Sequence, residues 1–388
     1  MKALSLYIPV KYKFGYGIFE KELGKVLPLL GKKVMLVTGK TFAEKYGYVD
    51  KIRKIAEEVN VEVFHFNGIS PNPKTNEIER AGEIAKEEKI EGILGFGGGS
   101  VMDAVKAISI CVTNDGNIWD YTMFQKMPEN DTLPFCLIPT TPATGSEMNS
   151  SAIISNPEEK RKWGIFDEKI FPDFSIVDPS LSETLKKDYL SLCAIDIITH
   201  MLEPFVTARE DAEIIKGVAK FYAKKVIESI RILKKETDNK KARENIHLLS
   251  GLALSGIATR GMGGFHEMHW LEHIVSGFFD NVSHPAGLSI LLIPWLKYRW
   301  KKNKYNIIEF FSYLMHKENP GKEEIFEYLD TLYKEINLPK SFKEYGIRGD
   351  NIDDFLREYH YVCNRFPNFF VEKIEDRDFI KIFEESLR

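Results

Sequence analysis

The chain has 388 residues, 44% of them hydrophobic and 28% charged, which is enough for two domains of roughly 100–200 residues, each with its own core. Its 53 Lys and Arg nearly balance its 57 Asp and Glu, for a formal net charge of -4, so it lacks the basic surplus of a nucleic-acid or anionic-membrane surface. The uncharged stretch from Asn281 to Leu296 is broken by Asn, Ser, His, Pro and Gly and does not read as a membrane span. The apolar run at the N-terminus is too short for a secretory signal.

In chain order, residues 32–40 (KKVMLVTGK) read as a buried strand ending in glycine, 48–59 as a helix and 61–66 as a strand. The turn at 70–73 precedes a charged helix from Lys74 to Glu88, the strand 90–97, a helix from Val101 to Ile110 and the strand 133–141. Strands separated by helices of this length indicate parallel βαβ units. From about Leu181 helical periodicity takes over. The expected fold is α/β: a Rossmann-like parallel-sheet domain over 1–179, which binds the dinucleotide, then an all-helical metal-binding domain over 180–388. Cys111, Cys136, Cys193 and Cys363 show no CxxC spacing, against a disulfide framework or a thiolate zinc site. A cytoplasmic enzyme is expected. Lys outnumbers Arg 40 to 13 and Gln125 is the sole glutamine, as in proteins of hyperthermophiles or of an AT-rich genome.

Gly97-Gly98-Gly99-Ser100 closes a predicted strand and opens a helix. Glycines there let backbone N–H groups approach a diphosphate, and the helix N-terminus adds positive partial charge. The pattern is neither G-x-G-x-x-G nor a P-loop. Ser100 with Asp103 also fits a capping box, and Asp103 is carried with the loop as a candidate cofactor contact.

Five of the nine histidines fall in two windows. Asp196 and His200 are spaced i,i+4, with Glu203 following, and His266, His269 and His273 recur at i, i+3 and i+7, before His284 on a loop. Such spacings put side chains on one helix face. One carboxylate and several imidazoles suit Zn2+ or Fe2+. The spacing is not HExxH, and spacing alone does not say which three histidines ligate.

These residues resemble the iron-containing (group III) alcohol dehydrogenase family. PNP (71–73), GFGGGSVMDAVKA (95–107), IPTTPATGSEMNSSAII (138–154), FPDFSIVDP (171–179) and AIDIITHMLEPF (194–205) follow its pattern in order. PATGSEMN and the Lys162, Pro172, Asp178-Pro179 spacing look most like its butanol dehydrogenase branch. The resemblance implies one divalent metal, Fe2+ or Zn2+, on Asp196, His200, His269 and His284, in a cleft between two domains. It places His273 beside the substrate as the candidate catalytic residue. His266 matches no ligand and is read as packing or supporting a ligand. Gly98, Gly99 and Ser100 would meet the cofactor pyrophosphate, Thr140, Thr141, Asn149, Ser151 and Lys162 would line the groove, and Asn72 would lie near the ribose. The plain structural explanations are a turn for Asn72 and a solvated charge for Lys162. The chain departs from the family by one extra residue between His273 and His284, and by Ser283-His284-Pro285 where Pro-His-Gly is common.

The implied activity is metal-dependent, NAD(P)-linked interconversion of primary aliphatic alcohols and aldehydes, with the metal polarising the substrate oxygen and His273 relaying a proton. Gly39 ends its strand where NAD-preferring members carry an aspartate, which favours NADP(H), with NAD(H) as the other form the groove would take. A small-molecule alcohol or aldehyde is the expected partner, and a homodimer the expected assembly. The rivals are a glycerol or glycerol-phosphate dehydrogenase or a dehydroquinate-synthase-like cyclase of the same superfamily, or a non-catalytic metal or nucleotide sensor. Phe265, Trp270, Phe278 and Phe279 favour an apolar substrate over a polyol phosphate.

Overall fold

Short apolar runs that end in glycine or proline become the strands of a parallel sheet. The computed structural model describes residues 3–367 and 372–388, and the chain divides into two units. One comprises Tyr7–Leu185 with Asp238–Ser255, the other Met1–Leu6, Lys186–Thr237 and Gly256–Arg388.

In the first unit the order is β1 (Lys11–Phe14), α1 (Phe19–Leu30), β2 (Lys33–Gly39), α2 (Phe42–Lys45), α3 (Tyr48–Glu58), β3 (Glu62–Ile69), α4 (Thr75–Glu87), β4 (Gly92–Gly97), α5 (Gly99–Thr113), β5 (Phe135–Pro139), β6 (Ser151–Asn156), β7 (Arg161–Phe166) and β8 (Phe174–Val177). Six strands form one sheet in the order β1-β8-β5-β4-β2-β3, every pair parallel. β4 and β5 are buried at every residue, as expected of a sheet covered on both faces. Leu23, Leu27 and Ile52 from α1 and α3 pack in one core with Val34, Leu36, Leu94, Ile138 and Ile176 of the sheet. Each such side chain removed from water contributes about 1.5–3 kcal/mol.

Strand order also fixes where a ligand can sit. From β2 the chain crosses to β3 on one side, then returns to β4 on the other. Neighbouring strands whose connections diverge open a crevice at their carboxyl ends. Gly39 ends β2 and Gly98–Ser100 follows β4, so both stand at that crevice.

The second unit is helical: α6 (Lys187–Val206), α7 (Glu213–Lys235), α9 (Glu267–Phe278), α10 (His284–Met315), α11 (Lys322–Ile336), α12 (Asn351–Arg365) and α13 (Asp376–Ser386), while α8 (Lys240–Leu254) belongs with the first unit. No strand follows β8 among the described residues. α6 is the one described helix long and apolar enough to cross a membrane by composition, but it is a core helix. From Leu190 to Val206 only Leu192 is less than buried.

β1, β8, α1, β6 and β7 escaped the sequence reading. β1 and β8 have only four residues each, too few to show a period. α1 carries Pro28, which breaks a helical pattern read from sequence. β6 and β7 form an antiparallel hairpin that starts in the last residues of the 138–154 motif and runs on beyond it. The capping box also fails: the N-cap of α5 is Gly98, without a side-chain hydrogen bond, and the Asp103 carboxylate is used elsewhere.

Candidate active site

The metal-ligand candidates all lie in the second unit. Asp196 and His200 are one turn apart on α6, and Nε2 of His200 lies 3.6 Å from Oδ1 of Asp196. α9 brings Nε2 of His269 to 3.7 Å from the same oxygen, and the His200 and His269 rings stack at 4.5 Å. Donors bound at about 2.0–2.2 Å to one tetrahedral ion stand roughly 3.3–3.6 Å apart, so these three already have the spacing of a half-built coordination sphere. Asp196 is fully buried, yet neither of its oxygens has a hydrogen-bond partner, nor has Nε2 of His269 or Nδ1 of His200. A buried carboxylate without donors is strongly unfavourable unless a cation faces it. The donor set therefore fits a divalent ion.

His284 opens α10, next to Pro285 in the first helical turn. Its ring lies 5.2 Å from that of His269 and 5.2 Å from that of His273. The group of donors mutually within 4.8 Å holds Asp196, His200 and His269, while His284 groups with Glu272 and His273. His273 packs edge-on against Trp270, ring centroids 5.1 Å apart. His266 hydrogen-bonds through Nε2 to the His200 carbonyl oxygen at 3.1 Å, so it braces a ligand helix, and burial lowers its pKa to about 4.

Two carboxylates that the sequence reading left without a role orient these imidazoles. Glu203, fully buried, pairs with Nδ1 of His269; its other oxygen accepts from the backbone N–H of Met268 at 2.5 Å and of His269 at 3.2 Å. Glu272 pairs with Nδ1 of His284. A Cβ on Gly287 would lie 2.6 Å from Cγ of Glu272, so glycine there is what lets α10 close over that carboxylate. A carboxylate on one ring nitrogen fixes the tautomer and frees the other nitrogen for a metal. The signal was present: each glutamate lies three residues after a histidine, although each serves a histidine from farther along the chain. Burial works against charge on both Asp196 and His269. The surrounding imidazoles nevertheless bring Asp196 down to about 2, and Glu203 with Asp196 lifts His269 to about 10.

The cofactor candidates lie in the first unit. A Cβ on Gly98 would stand 2.8 Å from Oγ1 of Thr141, and one on Gly99 equally close to Oγ1 of Thr144. Glycine is what lets the loop after β4 pack on the loop after β5. The first N–H groups of α5 then point out of the helix end, where no intrahelical acceptor exists. Thr140 is tied to the same turn by its N–H to the Gly97 carbonyl, 2.9 Å. Asn72 is a left-handed turn residue, φ 51°, and its Oδ1 accepts from Lys162 Nζ at 3.0 Å. Lys162 is buried, which removes the plain alternative of a solvated charge. Asn149 and Ser151 are bonded to each other, with Asn149 Oδ1 accepting from Ser151 N at 2.9 Å and Oγ at 2.8 Å. Asp103 is buried, with Oδ1 accepting from Ser146 Oγ and Oδ2 from Ile153 N. Gly39 has no positive φ, and a Cβ there would meet only ordinary contacts, the closest 3.6 Å from the Ile69 carbonyl oxygen.

Comparison with known proteins gives the family of the chain. The family model for iron-containing alcohol dehydrogenase matches residues 9–179, and the C-terminal model of the Fe-containing alcohol dehydrogenase family matches 192–386. The chain belongs to the iron-containing alcohol dehydrogenase family. It is 30% identical to the probable NADH-dependent butanol dehydrogenase 1 of Bacillus subtilis over the full length of both chains. It is 27% identical to an NADPH-dependent butanol dehydrogenase of Clostridium saccharobutylicum, over 88% of this chain and 86% of that one. The crystal structure of NADH-dependent butanol dehydrogenase A from Thermotoga maritima superposes with a TM-score of 0.93 at 29% identity, covering 100% of this chain and 99% of that one. An alcohol and aldehyde oxidoreductase that uses a divalent metal and a nicotinamide cofactor follows from that membership.

Proposed function

We propose that this alcohol dehydrogenase works on short primary aliphatic alcohols and aldehydes of butanol–butanal type and prefers NADP(H). Gly39 carries the cofactor assignment. At the β2–β4 crevice an acidic residue would accept the ribose 2′-OH and repel a 2′-phosphate. Gly39 leaves that space open, with no backbone conformation that demands glycine, and Lys40 and Thr41 follow with further donors. Relatives of both cofactor types exist, so NAD(H) is the alternative that the test decides.

In this reading Asp196, His200 and His269 hold the ion and His284 completes the set. The ion supplies Lewis acidity to the substrate oxygen and the nicotinamide carries the hydride. Glu203 and Glu272 keep His269 and His284 in the tautomer that faces the ion. His273, among buried imidazoles and beside Trp270, relays the proton of the substrate hydroxyl. Gly98, Gly99 and Ser100 take the diphosphate on α5's N-terminus, while Asn72, Asp103, Thr140, Thr141, Asn149, Ser151 and Lys162 form or support the rest of the groove. A cytoplasmic homodimer belongs to the same reading and is checked by fractionation and light scattering.

The test is a steady-state panel of C2–C8 aldehydes and alcohols with NADH and NADPH after loading with Fe2+ or Zn2+. A kcat/KM rising from ethanal to butanal, higher with NADPH, is the expected result. A higher kcat/KM for glycerol than for butanol refutes the substrate assignment.

A further inference from the structure

One helix holds two parts of the cofactor groove from behind. α5 begins in the diphosphate loop, and its fifth and eighth residues, Asp103 and Lys106, share one buried face at i,i+3 spacing. Asp103 fixes the ends of the segment that follows β5, through Ser146 Oγ at 2.7 Å and Ile153 N at 3.0 Å. Lys106 fixes its middle. Its Nζ donates to the Asn149 carbonyl at 2.9 Å, to Asn149 Oδ1 at 3.0 Å and to the Ser151 carbonyl at 2.8 Å. All three ammonium protons are thus placed, and Asn149 Nδ2 closes the set on the Gly145 carbonyl at 3.0 Å.

Lys106 is 0% exposed, in the interior of a sheet domain where an ammonium is strongly unfavourable unless fully bonded. An apolar residue would fill the same space without that cost, so a buried ammonium here asks for a role. The sheet order gives the direction of the groove. Gly39 follows β2, the diphosphate loop follows β4, and Thr140 and Thr141 follow β5. With the adenine-side ribose at Gly39, the segment beyond β5 serves the nicotinamide half.

We propose that Lys106, assisted by Asp103, is a positioning residue for the nicotinamide half of the cofactor: it sets Asn149 and Ser151 at a fixed distance from the diphosphate loop. This rests on the cofactor groove assigned above. It also gives Asp103 a different part from direct contact, since both its oxygens are taken by protein donors.

The charged and titratable groups around the ammonium are Asp103 on the same helix, Glu147 in the clamped segment, Tyr12 on β1 next to Glu147, and Lys162, which acts on Asp103. Burial lowers Lys106 to about 8 against the pull of Asp103 and Glu147. Burial raises Glu147 to about 7 and takes Tyr12 well above its ordinary value. Above pH 8 the neutral amine has two protons for three acceptors, so the clamp loosens as pH rises through that value.

The test measures binding of NADH, NADPH and ADP-ribose to the metal-loaded full chain, as wild type, Lys106→Met and Lys106→Arg. ADP-ribose carries the diphosphate but no nicotinamide. In Lys106→Met the Kd for both reduced dinucleotides should rise about tenfold or more, with ADP-ribose unchanged within about twofold, and Lys106→Arg should restore most of the loss. Equal weakening of all three ligands, or unchanged NADH binding, overturns the proposal. Should Lys106→Met fail to fold, Lys106→Gln takes its place with the same three ligands: weaker binding of both reduced dinucleotides but not of ADP-ribose is expected, and equal weakening of all three, or unchanged NADH binding, overturns the proposal. A wild type that binds none of the three refutes the groove itself, and the clamp with it.

Discussion

Replacing Glu203 with glutamine tests whether a buried carboxylate makes His269 a metal ligand. The substitution keeps the shape and removes the charge. Glu203 serves three donors, with one oxygen on Nδ1 of His269 and the other on the N–H groups of Met268 and His269. A glutamine amide can satisfy only one side. If its oxygen stays on the two backbone N–H groups, its NH2 faces Nδ1, which must then accept, and the ring proton moves to Nε2, the atom beside Asp196. If the amide is turned, its NH2 meets two N–H donors in a buried site. Either way a charge-assisted hydrogen bond of about 1.5–3 kcal/mol is lost, which corresponds to roughly 10–100-fold in metal affinity. Competition titration against a chromophoric chelator measures this, with circular dichroism to confirm that the helices persist. Glu203→Gln binding Zn2+ within about twofold of wild type would refute the orienting role.

His269→Ala should empty the metal site, while His273→Ala should keep near-stoichiometric metal and lose about 10²-fold in kcat; metal analysis with the reverse result exchanges the two roles. Gly39→Asp should lower kcat/KM for NADPH at least about tenfold relative to NADH; an unmoved ratio makes Gly39 only a turn. Each methylene added from ethanal to butanal should contribute roughly 0.8 kcal/mol to kcat/KM until the pocket is full, which a flat series would contradict. His247 supplies a pH test of stability. Its Nε2 lies 2.8 Å from Ser182 Oγ, whose own proton goes to the Pro179 carbonyl, and burial, with Arg243 adding to it, lowers its pKa to about 3. Its contribution is therefore complete above the unfolded value near 6.5 and is lost as pH falls toward 3, at up to about 1.4 kcal/mol per unit. His247→Gln should flatten that part of the urea-denaturation profile, and an identical slope in the variant would remove His247 as its source.

The sequence announced the βαβ order because β2, β4 and β5 are continuous apolar runs, buried on both faces and closed by glycine or proline. It grouped the candidate side chains on α6 and α9 because helical spacing puts Asp196 with His200, and His269 with His273, on one face; which of them ligate came from the family resemblance and not from spacing. Partnerships across elements were not legible. Glu203 on α6 serves a histidine 66 positions later, and Lys162 on β7 bonds Asn72, 90 positions earlier. Local spacing carries no record of either. Asp103 shows the limit most clearly: S-x-x-D is a sound capping pattern, but the fold gives its carboxylate to Ser146 and Ile153, whose approach depends on the chain turning back through β6.

α6 shows why the metal reading and the fold reading are one argument. By composition it is apolar enough for a bilayer, yet Asp196, His200 and Glu203 are buried within it. Glu272 on α9 is equally buried. These carboxylates are faced by imidazoles, which are neutral when they act as ligands, while the nearby guanidinium of Arg299 is committed to Glu267 and Glu372. Asp196, buried with no hydrogen-bond donor on either oxygen, is strongly unfavourable in such a core unless a proton or a cation joins it. The metal-free chain meets part of this with a proton on His269. An ion in its place supplies two charges and coordinates the orphaned atoms of Asp196 and His269. Metal binding should therefore stabilise the helical unit as well as enable turnover, and removing it with a chelator should lower the melting temperature of this unit while leaving that of the sheet unit unchanged. Equal melting of both units with and without metal would separate the site from the fold and refute the argument.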